Sequence, residues 1–182
     1  METLYKNALN DKSYYVLSSS LSAIGKLNPA EALITAKQLE NEKNNDVLFA
    51  VASLYANNGS DENNDFFLKN ASKFNGYSLI GFVSQYGAFL RKVQKDETVN
   101  AGVDLLASIA KDESIIKWVA YYAKRSIKDL ITMYDDRISF DAEKIKKLKE
   151  SNPNADTKEL ETQIESAKAQ KQRISDVFIS IK

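Results

Sequence analysis

The sequence predicts an all-α protein in which an array of antiparallel helix pairs is followed by a long antiparallel helical hairpin. Glycine and proline are scarce, at six and two, and both prolines lie between segments of helical period, as do Gly59 and Gly76. No stretch shows the sustained alternation of a strand. In the last third of the chain, apolar residues recur every seven positions, which is the spacing of a coiled-coil seam.

The first two predicted helices each have a start signal and an apolar face. The first begins after Ser13 and ends near Leu27, and its apolar face consists of Leu17, Leu21 and Ile24. Residues 28–31, Asn-Pro-Ala-Glu, start the second, because asparagine caps a helix, proline suits its first position and the glutamate completes a capping box. The second helix directs Leu33, Ala36 and Leu39 inward.

The next three helical segments are rich in large apolar side chains. We expect Asp46 to cap the third helix and Gly59 to end it, a fourth segment to open at residues 61–65 and end at Gly76, and a fifth helix to start at Ser78. Their predicted inward residues are Val47, Phe49 or Ala50, Val51, Leu54, Tyr55, Phe66, Phe67, Leu68, Ala71, Phe74, Leu79, Phe82, Val83, Tyr86, Phe89, Leu90 and Val93.

Gly81 and Gly87 lie inside the fifth predicted helix, where each glycine costs about 1 kcal/mol relative to alanine. Because the apolar period continues through both, we interpret them as points of close contact between helices. A sixth helix follows over residues 97–111, and a seventh starts at Asp112 or Ser114. Apolar residues of these two helices are Val99, Val103, Leu106, Ile109, Ala110, Ile116, Trp118, Val119, Tyr122, Ala123 and Ile127.

Helices of about 12 to 17 residues are too short to be stable alone, so each must bury its stripe against the next. The prediction for residues 1–130 is therefore a HEAT-like array of antiparallel helix pairs. Ser13 and Asp46 both open a helix after a polar run, but the residues between them match only in apolar spacing. Any repeat is structural and leaves little trace in the sequence.

Residues 131–182 form the predicted hairpin. One heptad series is Ile131, Ile138 and Ile145, and the other is Leu160, Ala167, Ile174 and Ile181. Folding the chain back at the turn around Pro153 places Leu148 near Leu160, Ile145 near Ile164, Tyr134 near Ile174, and Ile131 near Phe178. It also directs Asp141 toward Lys168 and Lys171, as a polar layer that would fix the register.

Composition excludes several kinds of chemistry. The chain has no cysteine and no histidine, which removes thiolate and histidine metal sites, cysteine nucleophiles, serine triads and histidine phosphotransfer. Basic and acidic residues are balanced at 25 each, so no overall field attracts nucleic acid or an anionic membrane. No segment is apolar enough to span a membrane, and the first ten residues lack the features of a signal peptide.

The order of features resembles the C-terminal helical region of bacterial zinc metallopeptidases of the aminopeptidase N family. The resemblance rests on SSSLSAIGKLNPAEALITAKQLE (18–40), DVLFAVASLYANNGSDENNDFFLKN (46–70) and GYSLIGFVSQYGAFLRK (76–92). The tail KIKKLKESNPNADTKELETQIESAKAQKQRI (144–174) is similar to the terminal hairpin of some members. The likeness thus covers nearly the whole chain.

The resemblance implies a non-catalytic C-terminal accessory domain of a zinc-dependent aminopeptidase. In that family a separate upstream domain holds zinc through an H-E-x-x-H motif, while the helical region encloses the active-site chamber and contacts the peptide. Neither that motif nor the family's glycine-rich exopeptidase motif occurs here, so no catalytic, cofactor or metal residue carries over. The implied partners are the upstream catalytic domain and the peptide substrate, and the implied location is the bacterial cell envelope.

Tyrosine and tryptophan side chains are the candidate peptide contacts, because they combine a large apolar area with a polar tip. The candidates are Tyr14, Tyr15, Trp118, Tyr121 and Tyr122. We expect one tyrosine of each adjacent pair to be in the core. Two carboxylate pairs, Asp61-Glu62 and Asp135-Asp136, are interpreted as capping or solvated groups, because neighbouring residues on a helix do not converge.

Two further functions have to be weighed. The lysines between residues 144 and 149 form the most basic stretch, but it is flanked by glutamates and lacks interleaved aromatics, so nucleic-acid binding is not expected. The alternative function is a free-standing helical-repeat adaptor that binds a partner protein along its concave face or through its hairpin. Residues upstream of Met1 would distinguish this adaptor from an accessory domain.

Overall fold

A computed structural model describes residues 2–9, 11 and 13–181. No strand occurs in this part of the chain, which confirms the all-α prediction. The helices are α1 (Glu2–Ala8), α2 (Tyr14–Leu27), α3 (Pro29–Leu39), α4 (Asn45–Asn58), α5 (Asn64–Asn70), α6 (Gly76–Leu90), α7 (Asp96–Lys111), α8 (Lys117–Ser151) and α9 (Lys158–Ile179). Short 3-10 turns over Asp61–Asn63 and Ala71–Lys73 flank α5.

The helices pack in two layers. One layer contains α2, α4, α6 and α8 in that order, and α5, α7 and α9 follow one another in the second. In the first layer α6 and α8 are parallel: Gly87 of α6 lies beside Ser126 of α8, and Arg91, just after the end of α6, lies beside Asp129. Helices joined by a loop run in opposite directions. This arrangement is an array of antiparallel pairs that ends in a long hairpin, as the sequence predicts.

Glycines allow close approach between helices of the first layer. A Cβ atom built on Gly81 would lie 2.8 Å from Cε2 of Phe49 in α4. One built on Gly87 would lie 2.4 Å from Oγ of Ser126 in α8. Real Cβ atoms do not come so close. At Gly87 the Cβ of Ser126 would also lie only 2.6 Å away, so this position needs glycine for the packing observed, whereas at Gly81 the ring of Phe49 would have to move. The interpretation of Gly81 and Gly87 as helix contacts is confirmed.

An aromatic cluster fills the centre of the array. The ring of Phe67 stacks 4.7 Å from that of Tyr86 and lies 4.8 Å from that of Phe89, and Phe74 stacks 4.4 Å from Phe82. Each of these side chains is buried. Aromatic pairs of this kind contribute about 0.5–1.5 kcal/mol beyond the area they bury. Most predicted inward residues lie in this core, whereas Phe49 and Leu68 are partly exposed.

The hairpin closes in the predicted register. Lys149 pairs with Glu161 at 3.1 Å and Asp135 pairs with Lys171 at 2.5 Å, so the two helices of the hairpin align as the heptads require. The predicted polar layer is wrong in detail. Asp141 is buried, but Lys171 binds Asp135 and Lys168 binds Glu165, and neither lysine pairs with Asp141 within the part of the chain described.

The hairpin is also tied to α7 by polar contacts. Nε2 of Gln170 donates to Oδ1 of Asn100 at 2.7 Å, and Nη2 of Arg173 donates to both carboxylate oxygens of Asp104 at 3.0 and 3.1 Å. Nζ of Lys111 donates to Oγ of Ser180 at 3.0 Å. These contacts advance together along both helices, so α9 lies parallel to α7 as the next member of the second layer. Only the distal part of the hairpin extends beyond the array.

Several helix boundaries differ from the sequence prediction. Oδ1 of Asn44, and not Asp46, caps α4, because it accepts from the amides of Asp46 and Val47 at 2.9 and 3.2 Å. Gly76, at φ +49°, begins α6 instead of only closing the segment before it. The helix α1 was not predicted, and the seventh predicted helix begins at Lys117.

The last of these differences follows from the turn before α8. Oδ1 of Asp112 accepts from the amide and the hydroxyl of Ser114 at 2.9 and 2.6 Å, which forms a turn in place of a helix start. From Lys117 onward α8 is continuous to Ser151, so it crosses the boundary predicted between residues 130 and 131. A division into an array and an independent hairpin remains a prediction that exchange experiments can test.

Candidate functional site

Three of the five predicted aromatic contacts come together at the start of α8. Trp118 packs edge-on against Tyr121 with ring centroids 6.0 Å apart, and Tyr121 packs edge-on against Tyr122 at 5.4 Å. Trp118 is 60% exposed and Tyr121 is 52% exposed, whereas Tyr122 packs against the core. The cluster therefore presents two large aromatic side chains to solvent on a helix that is fixed by the third.

The other two candidates, Tyr14 and Tyr15, lie elsewhere. Both are in the first turn of α2, and α4 and α6 separate that helix from α8 within the layer. Tyr14 is 49% exposed and Tyr15 is 78% exposed, so the expectation that one of them is in the core is wrong. Their helix lies near the end of the array, where fewer neighbours cover it. They do not form one site with the cluster on α8.

Basic side chains border the aromatic cluster. A shallow depression of about 440 Å³ lies along α8 and the end of α9, lined by Tyr121, Lys124, Arg125, Lys128, Asp129, Thr132 and Phe178. Oδ2 of Asp129 lies 3.5 Å from Nη1 of Arg91 on α6, so its charge is compensated by another cation. We call Trp118, Tyr121, Arg125, Lys128 and Phe178 the aromatic–basic surface. The positive charge and the aromatic ring area of this surface suit it to binding a ligand and not to catalysing a reaction.

Sequence reasoning missed Arg125, Lys128 and Phe178. One signal was present: Tyr121, Arg125 and Lys128 are spaced four and three apart, which places them on one face of a helix. Phe178 lies more than fifty residues later in the chain and reaches the surface only because α9 folds back along α8. Its position depends on the hairpin register.

One member of each carboxylate pair, Asp61 and Asp135, has a structural role. The carboxylate of Asp61 accepts from the amides of Gln94 and Lys95 at 3.2 and 3.0 Å, which ties the 3-10 turn to the start of α7. Partial burial would raise the pKa of Asp61, but hydrogen bonds from the Thr98 hydroxyl and these amides outweigh it, so the pKa is lowered. Asp135 is occupied by Lys171 across the hairpin.

Titratable groups with shifted pKa values are buried tyrosines and hydrogen-bonded carboxylates. Burial raises the pKa of Tyr134 to about 12, and the charge of nearby Asp96 adds to the effect. Burial likewise raises the pKa values of Tyr55 and Tyr86. Hydrogen bonds from Ser114 lower the pKa of Asp112. None of these groups belongs to the aromatic–basic surface.

Metal ligands do not cluster in the described residues: no group of three or more aspartate, glutamate, histidine or cysteine side chains could hold an ion there. No described helix combines the length and the apolar character needed to cross a bilayer. Comparison of the chain with protein-family models, curated proteins and solved structures found no match.

Proposed function

We propose that the chain is a non-catalytic, peptide-binding helical domain, and that it serves as the C-terminal accessory domain of a zinc-dependent aminopeptidase. In this role it walls the active-site chamber and holds the trailing part of the peptide, while zinc and the catalytic residues belong to an upstream domain of the same polypeptide. The proposal combines the family resemblance with one observation, the exposed aromatic cluster at the start of α8.

That observation carries weight because exposed aromatic side chains on a rigid helix are suited to binding. Trp and Tyr are enriched at binding sites, where they bury a large area at little cost in side-chain entropy. Trp118 and Tyr121 project from the same short stretch of α8, which is anchored to the core by Val119 and Ala123, both fully buried. A peptide lying along this face would contact both rings without any rearrangement of the helix.

The chain supplies its own reporter for this interaction. Trp118 is the only tryptophan, so intrinsic tryptophan fluorescence reports on this surface alone. We expect short linear peptides of mixed composition to change its emission in a saturable way. The Tyr121→Ala variant should weaken binding by about tenfold, which corresponds to about 1.4 kcal/mol. Calorimetry on the same peptides checks that the signal reports binding.

Tyr77→Ala is the matched control, because Tyr77 is 80% exposed but lies at the start of α6 and belongs to no aromatic cluster. It should leave peptide binding unchanged. Equal losses in the two variants, or the absence of a saturable signal with every peptide, would contradict peptide binding at α8. The relation to an aminopeptidase is tested separately by reading the encoded residues upstream of Met1 for an H-E-x-x-H motif.

A free-standing adaptor is the alternative, and one feature of the hairpin favours it. Phe140 is 70% exposed on the distal part of α8, where most surrounding residues are charged. An exposed phenylalanine on a projecting arm suits contact with a partner protein. A native polypeptide without a metallopeptidase domain upstream would favour the adaptor over the accessory domain.

A further inference from the structure

We propose that the aromatic–basic surface recognises an acidic peptide segment, in which carboxylate side chains pair with Arg125 and Lys128 while a neighbouring apolar side chain packs against Tyr121 and Phe178. This inference rests on the proposed peptide-binding function and names the class of peptide. The observation behind it is the uneven distribution of charge around α8.

Cations outnumber anions along the exposed face of α8. Between Lys117 and Thr132 the helix carries four basic residues and one acidic residue, Asp129. That single carboxylate faces Arg91 of α6 at 3.5 Å. Arg125 and Lys128 are exposed, and neither pairs with an acidic side chain of the described residues. The chain as a whole has no net charge, so this excess is local and belongs to the surface.

Two acidic groups of α8 and α9 outside this stretch, Asp135 and Asp176, have other partners. Oδ1 of Asp176 on α9 accepts from Nε2 of Gln172 at 2.8 Å, and Asp135 is held by Lys171. Arg125 offers a planar guanidinium that can bind a carboxylate through two hydrogen bonds, and Lys128 offers a compact charge one turn further along. A carboxylate that reaches Arg125 and Lys128 thus meets donors that have no acidic partner among the described residues.

The shape of the surface limits which side chain a bound peptide can place next to its carboxylates. Tyr121, Arg125, Lys128 and Thr132 follow one stripe of α8, and Phe178 of α9 borders the same depression. Tyr121 and Phe178 offer apolar contact beside the two cations. An extended peptide places alternate side chains on one side, so an apolar residue that lies two positions from each of two acidic residues can face this surface together with them.

A single-stranded nucleic acid is the other polyanion that binds basic, aromatic surfaces, but the rings are unsuited to it. Successive bases stack on open ring faces. Here Trp118 and Tyr121 meet at 83° and Tyr121 and Tyr122 at 87°, so each ring directs an edge at its neighbour's face. These rings do not form a continuous stacking platform, and the geometry favours a peptide.

The test compares two acetylated, amidated peptides, one that repeats Glu-Ser-Leu-Ser, so that glutamate and leucine lie on the same side of an extended chain, and one with glutamine in place of glutamate. Trp118 fluorescence and calorimetry give their affinities at low and physiological salt. We expect the glutamate peptide to bind at least tenfold more tightly, with an affinity that falls as salt screens the charges. The double variant Arg125→Gln with Lys128→Gln should remove this difference.

A double variant of Lys144→Gln and Lys146→Gln is the control, because it removes the same charge from an exposed part of the hairpin. It should retain the preference. If both peptides bind equally well, peptide binding stands and the acidic preference is overturned. If neither peptide, nor any peptide of the mixed panel, binds, both proposals fail. Tighter binding of oligothymidylate than of the glutamate peptide would replace the peptide with nucleic acid.

Discussion

The centre of the array and the distal hairpin, residues 138–165, both rely on apolar stripes, but they bury those stripes to different extents. In the array Phe67, Phe82 and Phe89 are completely buried, and the ring of Phe67 on α5 contacts both phenylalanines of α6. In the distal hairpin Ile164 is the one buried large apolar side chain among the described residues, and Leu148 is more than one-third exposed. A side chain between the two layers of the array is enclosed by several helices. A side chain between the two helices of the distal hairpin is covered only in part.

The comparison shows how stability is distributed along one chain. Burial supplies about 25 cal/mol per Å² of apolar area, so the array gains most where its layers meet. The distal hairpin depends on a narrow seam and on exposed ion pairs such as Lys149 with Glu161, which contribute about 0.2–1 kcal/mol each. The proximal hairpin belongs with the array, since it is held by α7. We expect the distal part to open locally before the array unfolds.

The largest expected effect on the free energy of unfolding comes from making the same substitution, phenylalanine to alanine, in each of the two regions. Phe67→Ala should lower the free energy of unfolding by about 3–5 kcal/mol, because it leaves a cavity among rings that cannot close it. Phe140→Ala in the hairpin should change it by no more than about 0.5 kcal/mol, because that side chain is exposed. Urea unfolding followed by circular dichroism measures both. Similar losses would show that the hairpin buries Phe140 in solution.

The next effect concerns the contact between α6 and α8. Gly87→Ala should cost about 1–3 kcal/mol, because its Cβ would collide with Ser126 and force the helices apart. The double variant Gly87→Ala with Ser126→Gly moves the gap to the other helix and should recover most of the loss. Thermal unfolding of the three proteins decides this. A stabilising Gly87→Ala, as in an isolated helix, would mean that the helices do not approach this closely.

A smaller, local effect should follow from Ile145→Asp in the hairpin seam. The carboxylate must lose its water or push α8 and α9 apart, so amide hydrogen exchange should accelerate over the distal hairpin, residues 138–165. Lys144→Asp, on the exposed side of the same turn, is the control and should leave exchange unchanged. Equal acceleration from Leu17 to Leu106 would show that the hairpin is integral to the core and that the division near residue 130 is wrong.

The smallest effect at neutral pH is expected from Tyr134→Phe, which removes a long hydrogen bond of 3.5 Å to Asp96. Its effect should appear in alkali. The pKa of Tyr134 is about 12 in the folded protein against an ordinary value of 10.0, so the unfolded chain loses this proton first. The unfolded state then binds fewer protons across that window, and the free energy of unfolding falls as pH rises from 10.0 to about 12.

A phenylalanine cannot ionise, so Tyr134→Phe should lose less stability over the same alkaline window than the parent chain does. Tyr55 and Tyr86 remain in both proteins and contribute equally. Urea midpoints measured at several pH values between neutrality and the alkaline end give the comparison. If the urea midpoints of the two proteins change in parallel with pH, Tyr134 is accessible to solvent, and α8 and α9 separate readily near this residue.

Much of the fold was predictable because its signals are local. Local patterns set the conformation at the capping box of Asn28 and Glu31, at Gly87 and along the heptads of the hairpin. The predicted cap is present, since the amide nitrogen of Glu31 lies 3.3 Å from Oδ1 of Asn28. The short helix α1 was missed because its seven residues carry too little apolar period to be recognised. The cap of α4 was misplaced because asparagine and aspartate are almost equally good caps, and Asn44 precedes Asp46.

The candidate site was only partly predictable, for a different reason. Residue type identifies Trp118 and Tyr121 as possible contacts, but whether they face solvent depends on the rotation of α8 about its axis, which α6 and α9 set. The spacing of Arg125 and Lys128 was readable in the sequence, whereas the approach of Phe178 required the folded hairpin. Tyr14 was misjudged because the sequence does not show where the array ends.

The parallel arrangement within each layer has a consequence for how the molecule can change in length. Each helix pair contacts the pair before and the pair after it, and the shared direction means that every pair presents equivalent faces to both. A pair added at the α1 end would therefore leave the contacts of α8 and α9 with α6 and α7 unchanged and would lengthen the array by about 8–10 Å, the usual spacing of packed helices. The aromatic–basic surface then acts as a terminal marker whose distance from the first helix is set by the number of pairs.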